Sequence, residues 1–210
     1  MTITNYPKIT VILRGYSYEE AMTVISCLAE FPHQLAVEVT TNNPDYLRII
    51  KDAREQFDGL LPIGVGTILN LAQAKEAIAA GAQFMLGPCE FSPEIFSLAE
   101  KENVLTAPAA LTSSEVKRMQ EAGADIIKIF PASTVGPDHF KQLLAPLGPL
   151  PLMAVGGVHL ENAQAFLEAG ASYLGIGSSM FKMEDIKNRN KEGLQKTIET
   201  WLNTIKEVGG

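Results

Sequence analysis

The chain has 210 residues, 46% of them hydrophobic, enough to bury one sizeable core and to make a single barrel domain spanning 1–210. A formal net charge of −7 argues against nucleic-acid or anionic-membrane partners, which the mean surface field repels, yet it leaves room for an anionic substrate held by local backbone N–H groups. Cys27 and Cys89 form no disulfide framework or metal spacing, the stretch from Met1 to Lys8 has no signal-peptide pattern, and no run is long and apolar enough to span a bilayer, so a cytoplasmic setting is expected.

Strand-like apolar runs alternate with segments of helical periodicity along the chain. The predicted strands are Thr10–Arg14, Leu35–Thr40, Leu61–Gly64, Phe84–Leu86, Val104–Ala107, Ile126–Phe130, Leu152–Val155 and Tyr173–Ile176. Predicted helices include Tyr18–Ala29, the alanine-rich Leu71–Ala80 and Ser114–Ala122, the last with N-cap candidates from Thr112 to Glu115. Gly81, Gly123 and Gly170 each follow a helix where a left-handed terminating glycine belongs. Beyond the last strand, Met183 to Val208 is polar and ends in a helix whose apolar stripe of Trp201, Leu202 and Ile205 suits barrel packing.

Alternating β and α units imply a parallel sheet with right-handed crossovers, and eight of them imply closure into a (β/α)₈ TIM barrel. An open doubly wound sheet is the competing arrangement. It is weakened because no GxGxxG follows the first strand; Gly64-Val65-Gly66-Thr67 follows the third instead.

The most informative run is Asp125-Ile126-Ile127-Lys128-Ile129-Phe130-Pro131-Ala132. Side chains alternate along a strand, so Lys128 shares a face with Ile126 and Phe130, either the barrel interior or the helix layer. Neither suits an ammonium. Desolvation lowers a lysine pKa, and the neutral amine is the form that attacks a carbonyl; a snorkelling lysine or half of a structural ion pair is the alternative. Glu38, in Ala36-Val37-Glu38-Val39-Thr40, is a second ionisable residue in an apolar strand. If both face inward near strand C-terminal ends, they meet at the mouth where barrel enzymes place their chemistry.

Two glycine-bearing turns close the last two predicted strands, Ala154-Val155-Gly156-Gly157-Val158 and Gly175-Ile176-Gly177-Ser178-Ser179. Such loops commonly bind phosphate through backbone N–H groups, although glycine also serves simply to turn the chain tightly. Thr67 is a candidate for a substrate carboxylate or a helix N-cap, and Arg14 for a carboxylate partner or a surface arginine. Pro88-Cys89 follows the fourth strand, where Cys89 has no adjacent histidine to activate it. His33, His139 and His159 form no triad and no ligand spacing.

At these residues the sequence resembles the 2-keto-3-deoxy-6-phosphogluconate (KDPG) and 4-hydroxy-2-oxoglutarate (KHG) aldolase family over essentially its whole length. The matching blocks are Val37–Thr40, Gly64–Asn70, Ile127–Ala132 and Gly156–Val158. The resemblance implies Lys128 as Schiff-base lysine, Glu38 as general acid/base, Thr67 and Pro88 on the pyruvate side, and phosphate binding by Gly156, Gly157, Gly177 and Ser178. It further implies a homotrimer acting on a phosphorylated 2-keto acid with no metal and no cofactor.

Departures from the family bear on substrate. Glucono members carry an arginine where this chain has Asn42, and threonine where it has Val155. The branch resembling 2-keto-3-deoxy-6-phosphogalactonate aldolase shares the asparagine, Ile12-Leu13-Arg14-Gly15 and Ala154-Val155-Gly156-Gly157-Val158, which makes Arg14 the expected replacement clamp. Gly87-Pro88-Cys89 stands where the family has Ser-Pro-Gly. Three readings compete with cleavage of the phosphosugar acid: 4-hydroxy-2-oxoglutarate cleavage, a phosphate-binding isomerase or synthase without imine chemistry, and a non-catalytic sugar-phosphate binding protein.

Overall fold

The computed structural model describes residues 2–206. Its strands are β1 (Ile9–Leu13), β2 (Leu35–Thr40), β3 (Ile63–Gly66), β4 (Phe84–Leu86), β5 (Leu105–Ala107), β6 (Ala109–Ala110), β7 (Ile127–Ile129), β8 (Leu152–Val155) and β9 (Tyr173–Ile176). The helices are α1 (Tyr18–Leu28), α2 (Tyr46–Phe57), α3 (Leu71–Ala79), α4 (Pro93–Glu102), α5 (Ser113–Glu121), α6 (Ala132–Val135), α7 (Pro137–Leu147), α8 (Leu160–Glu168), α9 (Met183–Lys187) and α10 (Lys191–Lys206).

All the pairings are parallel, and β1 pairs with both β2 and β9, which joins the first strand to the last. The sheet order runs from β5 to β6, and these two are the halves of one stave interrupted at Pro108. Its first half pairs with β4 and its second with β7. Proline has no N–H, but its carbonyl accepts from Lys128 N at 2.9 Å, while Ala109 N donates to the Cys89 carbonyl at 3.0 Å. The stave thus passes from one neighbour to the other at Pro108, and eight staves close into the expected (β/α)₈ barrel.

Alternation along each strand separates two cores. Ile9, Val11, Leu13, Leu35, Val37, Val39, Ile127 and Ile129 pack outward under the helices. Ile12, Ala36, Phe84, Leu86, Ile126, Met153 and Val155 pack inside the barrel. Tyr6 closes the floor: its hydroxyl bonds Thr10 Oγ1 at 2.7 Å, and its ring stands edge-on to Phe84 and Tyr173.

Four strands lie where the periodicity put them, and Thr112 caps α5 in a capping box with Glu115. Gly81, Gly123 and Gly170 all adopt positive φ after their helices. The third strand is displaced from Leu61–Gly64 to Ile63–Gly66 because the ladder begins only at the Pro62 carbonyl, which accepts from Val37 N at 2.9 Å. The fifth begins at Leu105 rather than Val104 and resumes beyond Pro108, which apolar patterning did not reveal. Trp201, Leu202 and Ile205 are buried on α10, which packs on α1 and α8; Val208 lies outside the described residues.

Candidate active site

Lys128 and Glu38 both point into the barrel. Lys128 is 3% exposed on β7 and Glu38 is fully buried on β2. Counted around the ring these are the sixth and second staves, four apart, so the two side chains extend toward each other from opposite walls. Ladder pairing places Glu38 between Ile12 and Gly64, and Lys128 between Ala109 and Met153. Small residues make the room. A Cβ on Gly66 would coincide with the Glu38 carboxyl, and one on Gly64 would strike the Phe84 ring.

Burial dominates the electrostatics of both groups. It pushes the Glu38 carboxyl above the usual carboxylate range, against the opposing pull of Lys128 and Arg14. It pushes the Lys128 amine below its ordinary value, helped by Arg14 and opposed by Glu38 and Cys89. Neither Glu38 oxygen has a hydrogen-bond partner, so the buried carboxyl is left uncommitted. Lys128 Nζ lies 4.9 Å from the centroid of the Phe130 ring, which follows directly after β7. A buried amine of lowered proton affinity facing an uncommitted carboxyl is suited to imine formation coupled to proton transfer.

The other predicted residues lie around the C-terminal mouth. Arg14, one residue beyond β1, is exposed, enters no salt bridge among the described residues, and electrostatically influences both Glu38 and Lys128. Thr67 follows β3 with φ +64°, an unusual conformation for a β-branched residue and a form of stored strain costing about 1–3 kcal/mol. Its Oγ1 is buried without a partner. The N-cap alternative is excluded, because Asn70 caps α3 by accepting from Gln73 N. Pro88 and Cys89 lie on the β4 loop, and the space beside Gly87 is filled by the Phe91 ring, so a side chain there requires a different loop packing.

The glycine loops after β8 and β9 are adjacent and tied together. Gly156 and Gly157 have φ of +93° and +72°, and a Cβ on Gly157 would collide with Ser133 of α6. Ser133 N donates to the Gly156 carbonyl at 3.0 Å, and Asn162 Nδ2 to the Gly157 carbonyl at 2.9 Å. Ser179 Oγ donates to the Val158 carbonyl at 2.6 Å, joining the β9 loop to the β8 loop. Gly177 borders open space and Ser178 is exposed beside it. Val155, buried on the interior face, packs against Gly175. Sequence reasoning missed Ser133 and Asn162, and it placed Ser179 in the β9 turn without its tie to the β8 loop, since nothing in their local patterns signals contacts made across loops.

His33 and His139 stay out of this constellation, while His159 borders it, its Nε2 2.9 Å from the Asn162 amide nitrogen that donates to the Gly157 carbonyl. His139 bonds the Leu111 carbonyl, His159 pairs with Glu161, and His33 lies in the turn before β2. Among the described residues no group of three or more His, Cys, Asp or Glu side chains is arranged to hold a metal ion, and no helix is long and apolar enough to cross a membrane.

The family model described as KDPG and KHG aldolase matches residues 2–197. A probable 2-dehydro-3-deoxy-6-phosphogalactonate aldolase from Rhizobium meliloti is 36% identical, covering 81% of this chain and 80% of its own. A 2-dehydro-3-deoxy-6-phosphogalactonate aldolase from Escherichia coli is 31% identical over 92% of this chain and 94% of its own. A solved structure described as native KDPGal superposes with a TM-score of 0.82 at 28% identity, covering 94% of this chain and 96% of that one.

Proposed function

The chain belongs to the KDPG and KHG aldolase family, and from that premise we propose that it is a class I aldolase cleaving a 2-keto-3-deoxy-6-phospho-sugar acid, of the phosphogalactonate type, to pyruvate and glyceraldehyde 3-phosphate. The observation that carries the reading is the pairing across the lumen of a buried amine and a buried, unpartnered carboxyl whose proton affinities are displaced in opposite directions.

In this mechanism neutral Lys128 Nζ adds to the C2 ketone, and loss of water leaves an iminium. Glu38, as carboxylate, takes the proton of the C4 hydroxyl; the C3–C4 bond breaks, its electron pair passes to the iminium to give an enamine, and the aldehyde departs. The same carboxyl then returns a proton to C3, and hydrolysis releases pyruvate and regenerates the amine. A carboxyl raised toward neutrality suits both directions of transfer. Arg14 and Thr67 hold the keto-acid carboxylate, with Pro88 alongside. Backbone N–H groups of Gly156, Gly157 and Gly177, with Ser178, hold the phosphate.

The galactono preference is supported by the names of the two relatives described above and by Val155, which offers no hydroxyl to read the C4 configuration. The enzyme works as a homotrimer in the cytoplasm, which sedimentation of the purified protein and cell fractionation check. Borohydride reduction in the presence of pyruvate tests the mechanism: a mass increase at Lys128 and loss of turnover in Lys128→Arg are expected. An unmodified Lys128 with retained turnover overturns it. Coupled pyruvate assays with the galactono and glucono phosphates and 4-hydroxy-2-oxoglutarate, side by side, rank the substrates.

A further inference from the structure

Thr67 departs from the strand geometry that precedes it, and two pins hold it there. On one side Ile68 N donates to the Leu86 carbonyl at 3.1 Å, tying the loop to the end of β4. On the other, Thr41 Oγ1 donates to the Thr67 carbonyl at 2.9 Å, tying the same loop to the end of β2. The first pin is backbone to backbone and survives any side-chain change that keeps the fold. The second depends on one hydroxyl. Thr41 N continues the ladder by donating to the Gly66 carbonyl at 3.0 Å, so residues 66 and 67 are both gripped by Thr41.

We propose that Thr41 is a positioning residue for the keto-acid site: its hydroxyl holds the Thr67 carbonyl so that Thr67 keeps its left-handed backbone and presents its unpartnered Oγ1 to the substrate. The inference rests on the reading of Thr67 as a substrate contact. A β-branched residue drifts out of the left-handed region unless its surroundings over-determine it, and a part-buried carbonyl deprived of its donor adds a second incentive to rearrange. Thr41 itself touches no reacting atom. It also shares the turn with Asn42, so it sits on the same loop as the residue that departs from the family's glucono pattern.

The test compares Thr41→Val, which keeps shape and removes the donor, with Thr41→Ser, which keeps the donor, each alone and with Thr67→Ala. Steady-state cleavage of the phosphorylated keto acid and the pyruvate concentration giving half-maximal borohydride trapping at Lys128 are measured, with thermal melts to verify folding; Thr41→Ala replaces Thr41→Val if valine prevents folding. Thr41→Val should raise KM and the half-trapping concentration about 5- to 10-fold, equivalent to losing one hydrogen bond, with kcat changed less than about twofold. Thr41→Ser should stay near the parent. In the Thr67→Ala background the valine should add less than about twofold.

A Thr41→Val variant with parental KM, or a valine effect that persists at full size without the Thr67 hydroxyl, overturns the proposal. Parental KM in Thr67→Ala alone instead overturns the reading of Thr67 as a contact. The two failures are thereby distinguished.

Discussion

Gly66 and Glu38 occupy one space: the carboxyl of Glu38 lies where a side chain on Gly66 would begin. The glycine of the Gly64-Val65-Gly66-Thr67 block therefore belongs to the Glu38 site as much as to the turn that follows. β3 is fixed between β2 and β4, so the backbone at Gly66 has little freedom to retreat.

Gly66→Ala should lower kcat by about 100-fold or more through displacement of Glu38. It should also cost about 1–3 kcal/mol as an overpacked core, a fall in melting temperature of roughly 2–10 °C. Adding Glu38→Ala should restore the melting temperature without restoring turnover. Thermal melts and a coupled pyruvate assay read both, and a fully active Gly66→Ala would contradict the placement of the carboxyl.

Glu38 should make the protein less stable as pH rises. Burial raises its pKa in the folded state above the unfolded value, so from about pH 4.5 upward the unfolded chain releases this proton first and the folded state loses ground until the folded pKa is passed. Glu38→Gln removes that titration. The melting temperature of the glutamine variant relative to the parent should therefore climb as pH rises from about 4.5 towards the raised folded-state pKa. A constant difference across that range would show that burial does not raise the carboxyl pKa.

Ser179→Ala should weaken phosphate capture while sparing the imine. The Ser179 hydroxyl ties the two glycine loops together through the Val158 carbonyl. Losing it should raise KM for the phosphorylated substrate about 3- to 10-fold and leave the half-trapping concentration of pyruvate at Lys128 unchanged. Equal losses in the two measurements would place Ser179's effect at the keto-acid end instead.

Val155→Thr should erode substrate choice. Val155 faces the barrel interior against Gly175, and a hydroxyl there is poorly solvated unless the substrate pairs with it. The ratio of kcat/KM for the galactono over the glucono phosphate should fall about tenfold, measured with both compounds on one preparation. An unchanged ratio would remove Val155 from the determinants of configuration.

Much of the fold is readable from local patterns because its determinants are local. β2, β4, β8 and β9 are short β-branched or apolar runs bounded by turn residues, and the terminating glycines after α3, α5 and α8 are marked by what only glycine does easily. The displaced third strand and the divided fifth stave were not readable. Apolar character continues through Leu61 and across Pro108, and the pairing partner alone decides where each ladder starts and stops.

For the site, sequence determined the chemistry on offer: a lysine and a glutamate each set in an apolar strand, with glycine turns after the last two strands. Alternation assigned Lys128 to the face of Ile126 and Phe130, but whether that face looked into the barrel or under the helices was settled only when β1 met β9 and closed the ring. Closure also brought Lys128 and Glu38 together across the lumen, while pairing of neighbouring staves joined Ser179 to Val158 and set Thr41 against Thr67. Residues separated by 21 positions, as Ser179 and Val158 are, or by more leave no periodic trace of one another, because side-chain patterning records burial and not the identity of the neighbour; the neighbour is chosen by how the staves are ordered around the barrel.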